Sequence, residues 1–329
     1  MVGIALSAIG NGLVLPYTFI YFHTIRGIPT AIAGLIIGYG AFASLVISPL
    51  VGNMVDKWGP KPVLIVSLLV SAAGYSSLGL IRNASQAILV ITICSFGQSA
   101  MWPAQGAIAT ELTPEHLRER IYGIQFAMLN LGIGVGGLIS SIAVTLDNAR
   151  SFELLFFGDG ISYIVYLIAV LTLGNVGHRS EKERAENAAR NEGWKEVLAD
   201  KTFVKFWFVA IGAIFFGYSQ MEVGFTAFST TVSGLQLWVV KKLEKTQRKK
   251  GIAIAAIIWM FSWVSLAISG IVTTGALLFV IGCQFIFAIG EMVWSPIMPS
   301  IVNQLAPDHL RGRYNAASTN TWQIAMIAG

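Results

Sequence analysis

The stretch LTPEHLRER at residues 112–120 returns as LAPDHLRGR at residues 305–313. Six of the nine positions are identical, and at a seventh the acidic residue Glu115 is aligned with the acidic residue Asp308. Residue 305 lies 193 positions after residue 112, so two distant parts of the chain carry nearly the same charged segment. A repeat at a fixed offset predicts two structurally related halves.

The chain around these segments is strongly apolar. Of its 329 residues, 55% are hydrophobic and 12% are charged, whereas a soluble domain carries about 25% charged residues. Apolar runs long enough to cross a bilayer recur along the whole chain. The composition therefore predicts an all-α integral membrane protein. Its predicted spans are 2–22, 30–51, 62–81, 86–110, 121–146, 154–176, 203–232, 252–271, 275–304 and 314–329.

The basic residues fix the orientation. When alternate loops are assigned to opposite sides, 19 of the 22 Lys and Arg residues fall on one side, and only Arg26, Arg82 and Arg150 fall on the other. Cytoplasmic loops carry this excess, so the first side is cytoplasmic. The net charge of +5 is thus explained by the basic residues of the cytoplasmic loops, and no nucleic-acid partner is needed to explain it. The cytoplasmic set is Lys57, Lys61, Arg118, Arg120, Arg179, Lys182, Arg184, Arg190, Lys195, Lys201, Lys205, Lys241, Lys242, Lys245, Arg248, Lys249, Lys250, Arg311 and Arg313.

The two halves differ in length. The sequence HTIRG at 23–27 matches TTVSG at 230–234, an offset of 207, which is 14 more than the offset of the twin loops. Residues 206–240 must also hold two crossings, which need about 40 residues and a turn. We therefore expect an incomplete eighth helix and no twelfth. The predicted domains are an N-terminal six-helix bundle (1–177), a cytoplasmic linker (178–201) and an incomplete C-terminal bundle (202–329).

Parallel repeats of six spans are the layout of a secondary transporter, whose binding site lies between the halves near the membrane centre. The offset of 193 extends upstream of the twin loops, where Pro103 pairs with Pro296 and Gln98 pairs with Glu291. The twin segments are then the loops between spans 4 and 5 and between spans 10 and 11.

The segment GNMVDKWGPKPVL (52–64) resembles the signature loop of the major facilitator superfamily. Gly52, Asp56, Lys57, Gly59 and Lys61 fall on pattern positions, while Pro60 stands where a basic residue is usual. The resemblance implies that superfamily's fold, with two pseudo-symmetric six-helix bundles. Physically, Gly52 permits close helix approach, and Asp56 can accept hydrogen bonds from the N-terminus of a neighbouring helix.

Charged residues near the cytoplasmic ends of spans 2 and 4 suggest a gate. Asp56 ends span 2 and Glu111 ends span 4, close in sequence to Arg118 and Arg120. Opposite charges where spans 2, 4 and 11 converge can hold the inner side shut until protonation releases it. The alternative is a set of surface salt bridges worth about 0–1 kcal/mol each. With Gly52, Gly59 and Lys61, these residues form the predicted cytoplasmic gate.

Span 5 reads GIQFAMLNLGIGVGGLISS (123–141), which is similar to the glycine-rich motif of drug/proton antiporters of the twelve-helix branch. Gly123, Gly132 and Gly136 keep the spacing, but Gly137 replaces the motif's proline and serines replace its last glycines. The similarity favours export. Small residues at this spacing also allow close helix packing, so a purely structural role for these glycines remains an alternative.

Three carboxylates lie inside predicted spans: Asp159 in span 6, Glu222 in span 7 and Glu291 in span 10. Ionisable groups in a bilayer are energetically expensive, so they are functional candidates. We predict that they carry proton coupling. The resemblance to multidrug proton antiporters implies carboxylates in spans 7 and 10 in the same neighbourhoods. For Asp159 the alternative is a structural hydrogen bond near the extracellular end of its span.

The substrate surface is expected on spans 1, 4, 7 and 10. Its aromatic and amide side chains suit apolar or cationic organic compounds, although aromatic residues also form interfacial belts and helix contacts. The candidates are Asn11, Tyr17, Tyr21, Gln98, Trp102, Tyr218, Phe225 and Trp294.

Other classes of function receive less support from the sequence. It has no nucleotide-binding loop or Ser/His/Asp constellation, so we expect neither an enzyme nor a cofactor. Cys94 and Cys283 lie in apolar runs and are interpreted as core residues, with no metal site. A lipid or glycolipid flippase and a proton-coupled uptake symporter on the same fold remain alternatives to export. The expected partners are a small-molecule substrate, protons and membrane lipids, and the expected state is a monomer in the plasma or inner membrane.

Overall fold

The computed structural model describes residues 2–174, 176–189, 193–218, 235–236, 238–242, 247–272 and 274–328. Its described part is helical, without strands. Eight helices in this part are long and apolar enough to cross a membrane, judged by length and composition alone. The predicted all-α fold class is thereby confirmed.

The first six spans form six long helices. They are α1 (Val2–Val14, continued by Thr18–Ile20 and a π-helical turn at Tyr21–Ile25), α2 (Thr30–Trp58), α3 (Pro60–Leu78), α4 (Ala84–Leu112), α5 (Arg118–Ala143) and α6 (Ala149–Leu171). Two short helices follow in the linker, α7 (Glu181–Ala189) and α8 (Trp194–Ala199). The second half contributes α9 (Lys201–Tyr218), α10 (Arg248–Ser269), α11 (Ala276–Leu305) and α12 (Arg311–Ala328), which are spans 7, 9, 10 and 11.

The segment predicted as a loop at 52–64 is almost wholly helical. Helix α2 continues to Trp58 and α3 begins at Pro60, so Gly59 alone makes the turn. Gly59 has φ +92°, a conformation that glycine adopts without steric cost, and proline is favoured at the first position of the helix that follows. The signature residues therefore lie on helix surfaces, where they can contact other helices.

Within the first half, α1 packs on α5 and α6, and α4 packs on α2 and α3. The glycines of span 5 explain the first contact. A Cβ added to Gly132 would lie 2.7 Å from the carbonyl oxygen of Ala5, and one added to Gly136 would lie 2.9 Å from Cα of Gly12. These glycines thus let α5 and α1 meet at backbone distance, as the packing interpretation of the motif requires.

Residues 235–236 and 238–242 include side chains that contact α5 and α11. The Gln236 side chain is fully buried and donates to the carbonyl oxygen of Met292 at 3.1 Å. That carbonyl lacks its usual helical donor because Pro296, four residues on, has no N–H. Val240 packs on Gly123 of α5. Residues 219–234 fall outside the described residues, so the predicted incompleteness of the eighth helix stays a prediction.

The linker is folded against both halves. Helix α7 starts with a reciprocal cap in which Ser180 N donates to Glu183 at 2.7 Å and Glu183 N donates to Ser180 Oγ at 3.2 Å. The Ser180 backbone N–H keeps the pKa of the exposed Glu183 carboxyl below its usual range. Trp194 of α8 donates to the carbonyl oxygen of Pro49 in α2 at 3.2 Å and packs in a cluster with Tyr314 of α12.

The halves meet along α2 and α12, with further contacts of α5 with α11 and of α4 with α12. On the side predicted to be extracellular, Arg26 joins three helix ends of the first half. Its guanidinium donates to Glu153 and to the carbonyl oxygen of Gly79 at 2.9 Å each, and to the Tyr21 hydroxyl at 2.8 Å. Tyr21 in turn donates to Gly79 at 2.7 Å.

We predict that Arg26→Ala lowers the free energy of unfolding by about 2 kcal/mol, because it removes charge-assisted hydrogen bonds to groups shielded from water. The measurement is the midpoint of thermal unfolding in detergent. Arg82→Ala, an exposed arginine on the same side, is the matched control and should leave the midpoint unchanged. Equal midpoints for the two variants would show that the Arg26 cluster adds nothing to stability.

Candidate functional site

Asp56 is the centre of the contact between the halves. The residue is only 4% exposed. Its carboxylate accepts the backbone N–H of Gly312 at 2.5 Å and that of Arg313 at 3.2 Å, and the Arg313 guanidinium at 2.9 Å. The first N–H groups of a helix have no partner within it and carry its positive end. Asp56 of the first half thus caps α12 of the second, as its position in the sequence predicted.

Small residues bring the two backbones together around Asp56. A Cβ added to Gly52 would lie 2.9 Å from Cα of Arg313. The side chain of Asn53 accepts Arg313 Nε at 2.6 Å, and Ser48 donates to the carbonyl oxygen of Ala316 at 3.0 Å. The close approach expected of Gly52 is therefore present. Gly312 and Arg313 were not predicted as partners of Asp56, nor Asn53 as a partner of Arg313, although Gly312 and Arg313 belong to the twin segment.

Lys61 and Glu111 lie within the first half and hold the turn after α6. Lys61 Nζ donates to the carbonyl oxygen of Gly174, and its backbone N–H donates to that of Gly177 at 3.0 Å. Glu111 accepts the N–H of Gly177 at 3.1 Å, and Gly59 packs against the same turn. These three predicted gate residues support the contact between the halves without crossing it.

In the described part of the chain no salt bridge joins Glu111 to Arg118 or Arg120, so their shared role in a cytoplasmic gate stays a prediction. Arg120 is exposed, and Arg118 makes no salt bridge in that part of the chain. Glu119, between the two arginines, accepts Arg248 Nε at 2.5 Å, and Arg248 also contacts Gln304. This second charged link between the halves went unpredicted because Glu119 and Arg248 are distant in sequence.

The mid-span carboxylates lie in separate halves. Glu291 is fully buried in α11 and contacts the Ser295 hydroxyl at 3.3 Å. Asp159 is fully buried in α6, and its Oδ1 accepts the Ser162 hydroxyl at 3.2 Å. It stands near the middle of Ala149–Leu171, whereas the alternative structural role had placed it near the extracellular end of its span. Glu222 lies outside the described residues.

Two of the predicted substrate residues join one polar network. Gln98 donates to the hydroxyls of Tyr163 at 2.5 Å and Tyr75 at 3.1 Å, and Tyr163 donates to Asn11 at 2.9 Å. The two tyrosine rings stack, with centroids 5.3 Å apart. Tyr75 and Tyr163 were missed because α3 and α6 were not expected to face the substrate.

The other predicted substrate residues are spread out. Trp102 is 37% exposed, and Tyr17 is half-buried with its ring edge on Phe152. Tyr21 is fully buried in the Arg26 cluster, and Trp294 is 5% exposed and packs on Trp259. In this conformation Tyr21 and Trp294 do not line an accessible surface, contrary to expectation. The Tyr218 side chain and Phe225 lie outside the described residues.

We predict that Asp56→Asn opens the cytoplasmic side, because a neutral amide attracts the α12 N-terminus and Arg313 less strongly than a carboxylate does. Ser48→Cys, a nearly isosteric change at a residue 1% exposed between α2 and α12, reports the opening. Labelling by an impermeant maleimide from the cytoplasmic side should become several-fold faster. Cys94 and Cys283 are buried and are replaced by alanine in this background.

Asp308→Asn is the matched control. Asp308 has the same side chain on the same side of the membrane, but its carboxylate is 83% exposed and pairs with Arg311, within the twin segment. Labelling rates that rise equally in both variants, or in neither, would contradict a gating contact at Asp56.

Comparisons with known proteins agree with this architecture. The chain is 23% identical to the uncharacterised MFS-type transporter YttB of Bacillus subtilis, over 100% of this chain and 86% of the relative. It is 24% identical to the multidrug resistance protein MdtH of Aeromonas salmonicida, over 94% of this chain and 79% of the relative. The crystal structure of the human organic anion transporter MFSD10 superposes with a TM-score of 0.74 at 16% identity, covering 99% of this chain and 89% of that one. The family model of the Major Facilitator Superfamily matches residues 1–329, and the chain belongs to that superfamily of membrane transporters.

Proposed function

We propose that this transporter exports small apolar or cationic organic compounds by alternating access and that protons drive it. The observation that carries the proposal is the pairing of two features. The halves contact each other at Asp56 and Glu119, on the side that we assign to the cytoplasm, and buried carboxylates lie in both halves. A transporter with a closed inner side needs a signal that opens it, and a carboxylate that binds a proton can supply that signal.

The charge pattern favours cationic substrates. Between the helix ends, the spans contain no Lys or Arg, whereas Asp159, Glu222 and Glu291 bring three acidic groups. Negative fixed charge in a low-dielectric region attracts cations and repels anions. A lipid flippase would need basic ligands for a phosphate head group, so the pattern disfavours that alternative.

Proton coupling follows from the energetic cost of an unneutralised carboxylate. A charged carboxylate near the bilayer centre costs several kcal/mol, so a proton or a cation must neutralise it in turn. We assign this role first to Glu291 and Glu222, with Asp159 as a third group. If proton and substrate compete for one carboxylate, inward proton flow drives the substrate outward without separate sites.

The substrate surface is proposed on the same spans. Asn11 and Gln98 share hydrogen bonds with Tyr163, and Trp102 is partly exposed on the same helix as Gln98. Tyr17, Tyr218, Phe225 and Trp294 complete the set in a conformation where the halves have moved, whereas Tyr21 stays packed in the Arg26 cluster of the first half. The name of the related MdtH, a multidrug resistance protein, supports an organic substrate.

We also propose how the chain is divided into domains. Residues 1–177 and 202–329 form the two bundles, and the linker 178–201 lies on the cytoplasmic side of the plasma or inner membrane. Arg179 of the linker donates to the carbonyl oxygen of Asp308 at 3.3 Å, which ties the linker to the cytoplasmic twin segment. We propose that the protein works as a monomer.

We predict that Glu291→Gln abolishes transport of cationic substrates driven by a pH gradient, because the amide cannot exchange a proton for a cation. Neutral substrates can still be transported. The measurement is substrate flux and proton flux in proteoliposomes with an imposed gradient. Glu115→Gln, an exposed glutamate of the twin segment, is the control and should behave as the wild type.

Glu222→Gln should shift the pH dependence of transport instead of abolishing it. If both glutamine variants move a cation with unchanged proton stoichiometry, the coupling groups lie elsewhere, and Asp159 and Glu111 are next. Proton flux in the same direction as the substrate would favour uptake symport, and substrate-stimulated lipid flipping would favour a flippase.

A further inference from the structure

Four polar residues are buried together where α4, α5, α11 and α12 meet, and neither the gate nor the carboxylates explain them. They are Thr110, Tyr122, Asn303 and Asn315, with exposed fractions of 2%, 6%, 2% and 7%. Polar groups shielded from water cost free energy unless they are hydrogen-bonded. We call these four residues the polar quartet.

The polar quartet follows the internal repeat. Asn303 lies 193 positions after Thr110, and Asn315 lies 193 positions after Tyr122, the same offset as the twin segments. Each half therefore contributes one pair from equivalent positions, separated by 12 residues. The two pairs occupy matching places on either side of the contact between the halves.

Each pair is bonded internally. In the first half, Thr110 Oγ1 and Tyr122 Oη are 2.7 Å apart, and Thr110 donates to the carbonyl oxygen of Gly106 at 2.9 Å. In the second half, Asn315 donates to Asn303 Oδ1 at 2.9 Å. Asn303 donates at 2.9 Å to the carbonyl oxygen of Pro299, which lies 193 positions after Gly106. Each half thus satisfies its own pair.

One hydrogen bond joins the two pairs. Asn303 Nδ2 donates to Tyr122 Oη at 3.1 Å. The hydrogens can be assigned along one direction, from Asn303 to Tyr122, then to Thr110, and finally to the carbonyl oxygen of Gly106. Such a chain polarises each of its members, which strengthens the link in the closed state.

We infer that the polar quartet is the inner element of the cytoplasmic closure, and that the Asn303–Tyr122 bond is exchanged for water each time this side opens. The inference rests on the proposed alternating access. An apolar contact here would expose hydrophobic surface on opening, whereas each polar pair stays bonded within its own half and needs water only at the broken link. Tyr122 and Asn303 are therefore positioning residues for the closed state.

The test measures the conformational equilibrium directly. Spin labels at Pro114 and Pro307, exposed twin positions on opposite halves, report the separation of the cytoplasmic ends in lipid nanodiscs, with Cys94 and Cys283 replaced. Tyr122→Phe removes the hydroxyl and keeps the ring. The ratio of the long-distance to the short-distance population should rise roughly fivefold, as the loss of one net hydrogen bond from the closed state predicts.

Tyr166→Phe is the matched control. Tyr166 is also buried, but its hydroxyl donates at 2.8 Å to Gln105 of the same half. This variant should leave the population ratio at the wild-type value. An equal shift in both tyrosine variants, or a wild-type ratio in Tyr122→Phe, would overturn the inference.

A second measurement separates the link from general loss of stability. Asn303→Leu should shift the ratio in the same direction, and the double variant with Tyr122→Phe should shift it by less than the product of the two single shifts, because both remove the same bond. In the double variant of Asn303→Leu with Tyr166→Phe, the shift of the population ratio should equal the product of the two single shifts. If the double variant of Asn303→Leu with Tyr122→Phe also gave the product of its single shifts, a direct link between Asn303 and Tyr122 would be contradicted. Because no substrate is present, failure of proton-driven export would leave these results unchanged.

Discussion

The arrangement of the two halves depends on one carboxylate at the start of one helix. Asp56 caps the N-terminus of α12 and accepts three hydrogen bonds there. Two of them come from backbone N–H groups that have no partner within the helix. This interaction can form only if α2 and α12 approach at backbone distance, which requires Gly52. Lys61 of the signature segment and Glu111 of α4 both bond to the turn after α6, on the side that we assign to the cytoplasm.

Around Asp56, the contacts between the halves are of three chemical kinds. The Glu119–Arg248 pair lies at the surface, and its arginine is 26% exposed. Asp56 is almost fully shielded, and the polar quartet is buried among four helices. On surfaces that are alternately buried and exposed to water, the polar groups need hydrogen-bond partners in both states. Polar groups that are paired within each half keep such partners. The mid-span carboxylates face the same constraint and meet it by proton or cation exchange in our proposal.

The sequence predicted the features that depend on composition and spacing. Hydropathy predicted the long apolar helices and the twin segments revealed the repeat, whereas the orientation inferred from the basic residues remains a prediction. The close approach at Gly52 and the helix cap by Asp56 were also predicted, because a glycine and an acid at set positions in a signature segment imply specific geometry. The gate role of Asp56 remains a prediction.

The partners of these residues could not be read from the sequence. Arg313 lies 257 positions from Asp56, and Arg248 lies 129 positions from Glu119, so only the packed helices reveal the pairs. Glu111 accepts a backbone N–H from the turn after α6, a contact that its closeness in sequence to Arg118 and Arg120 does not indicate. Tyr21 and Trp294 looked like cavity residues because aromatic side chains serve cores and cavities equally well, and packing alone decides between them.

The most direct measurement of the central claim is hydrogen exchange at the Gly312 and Arg313 amides, which donate to Asp56 itself. In resting wild-type protein in nanodiscs, these amides should exchange slowly. They should exchange much faster in Asp56→Asn, and in wild-type proteoliposomes during turnover under a pH gradient. Exchange that is equally slow in all three conditions, while transport proceeds, would contradict a cytoplasmic closure built on Asp56.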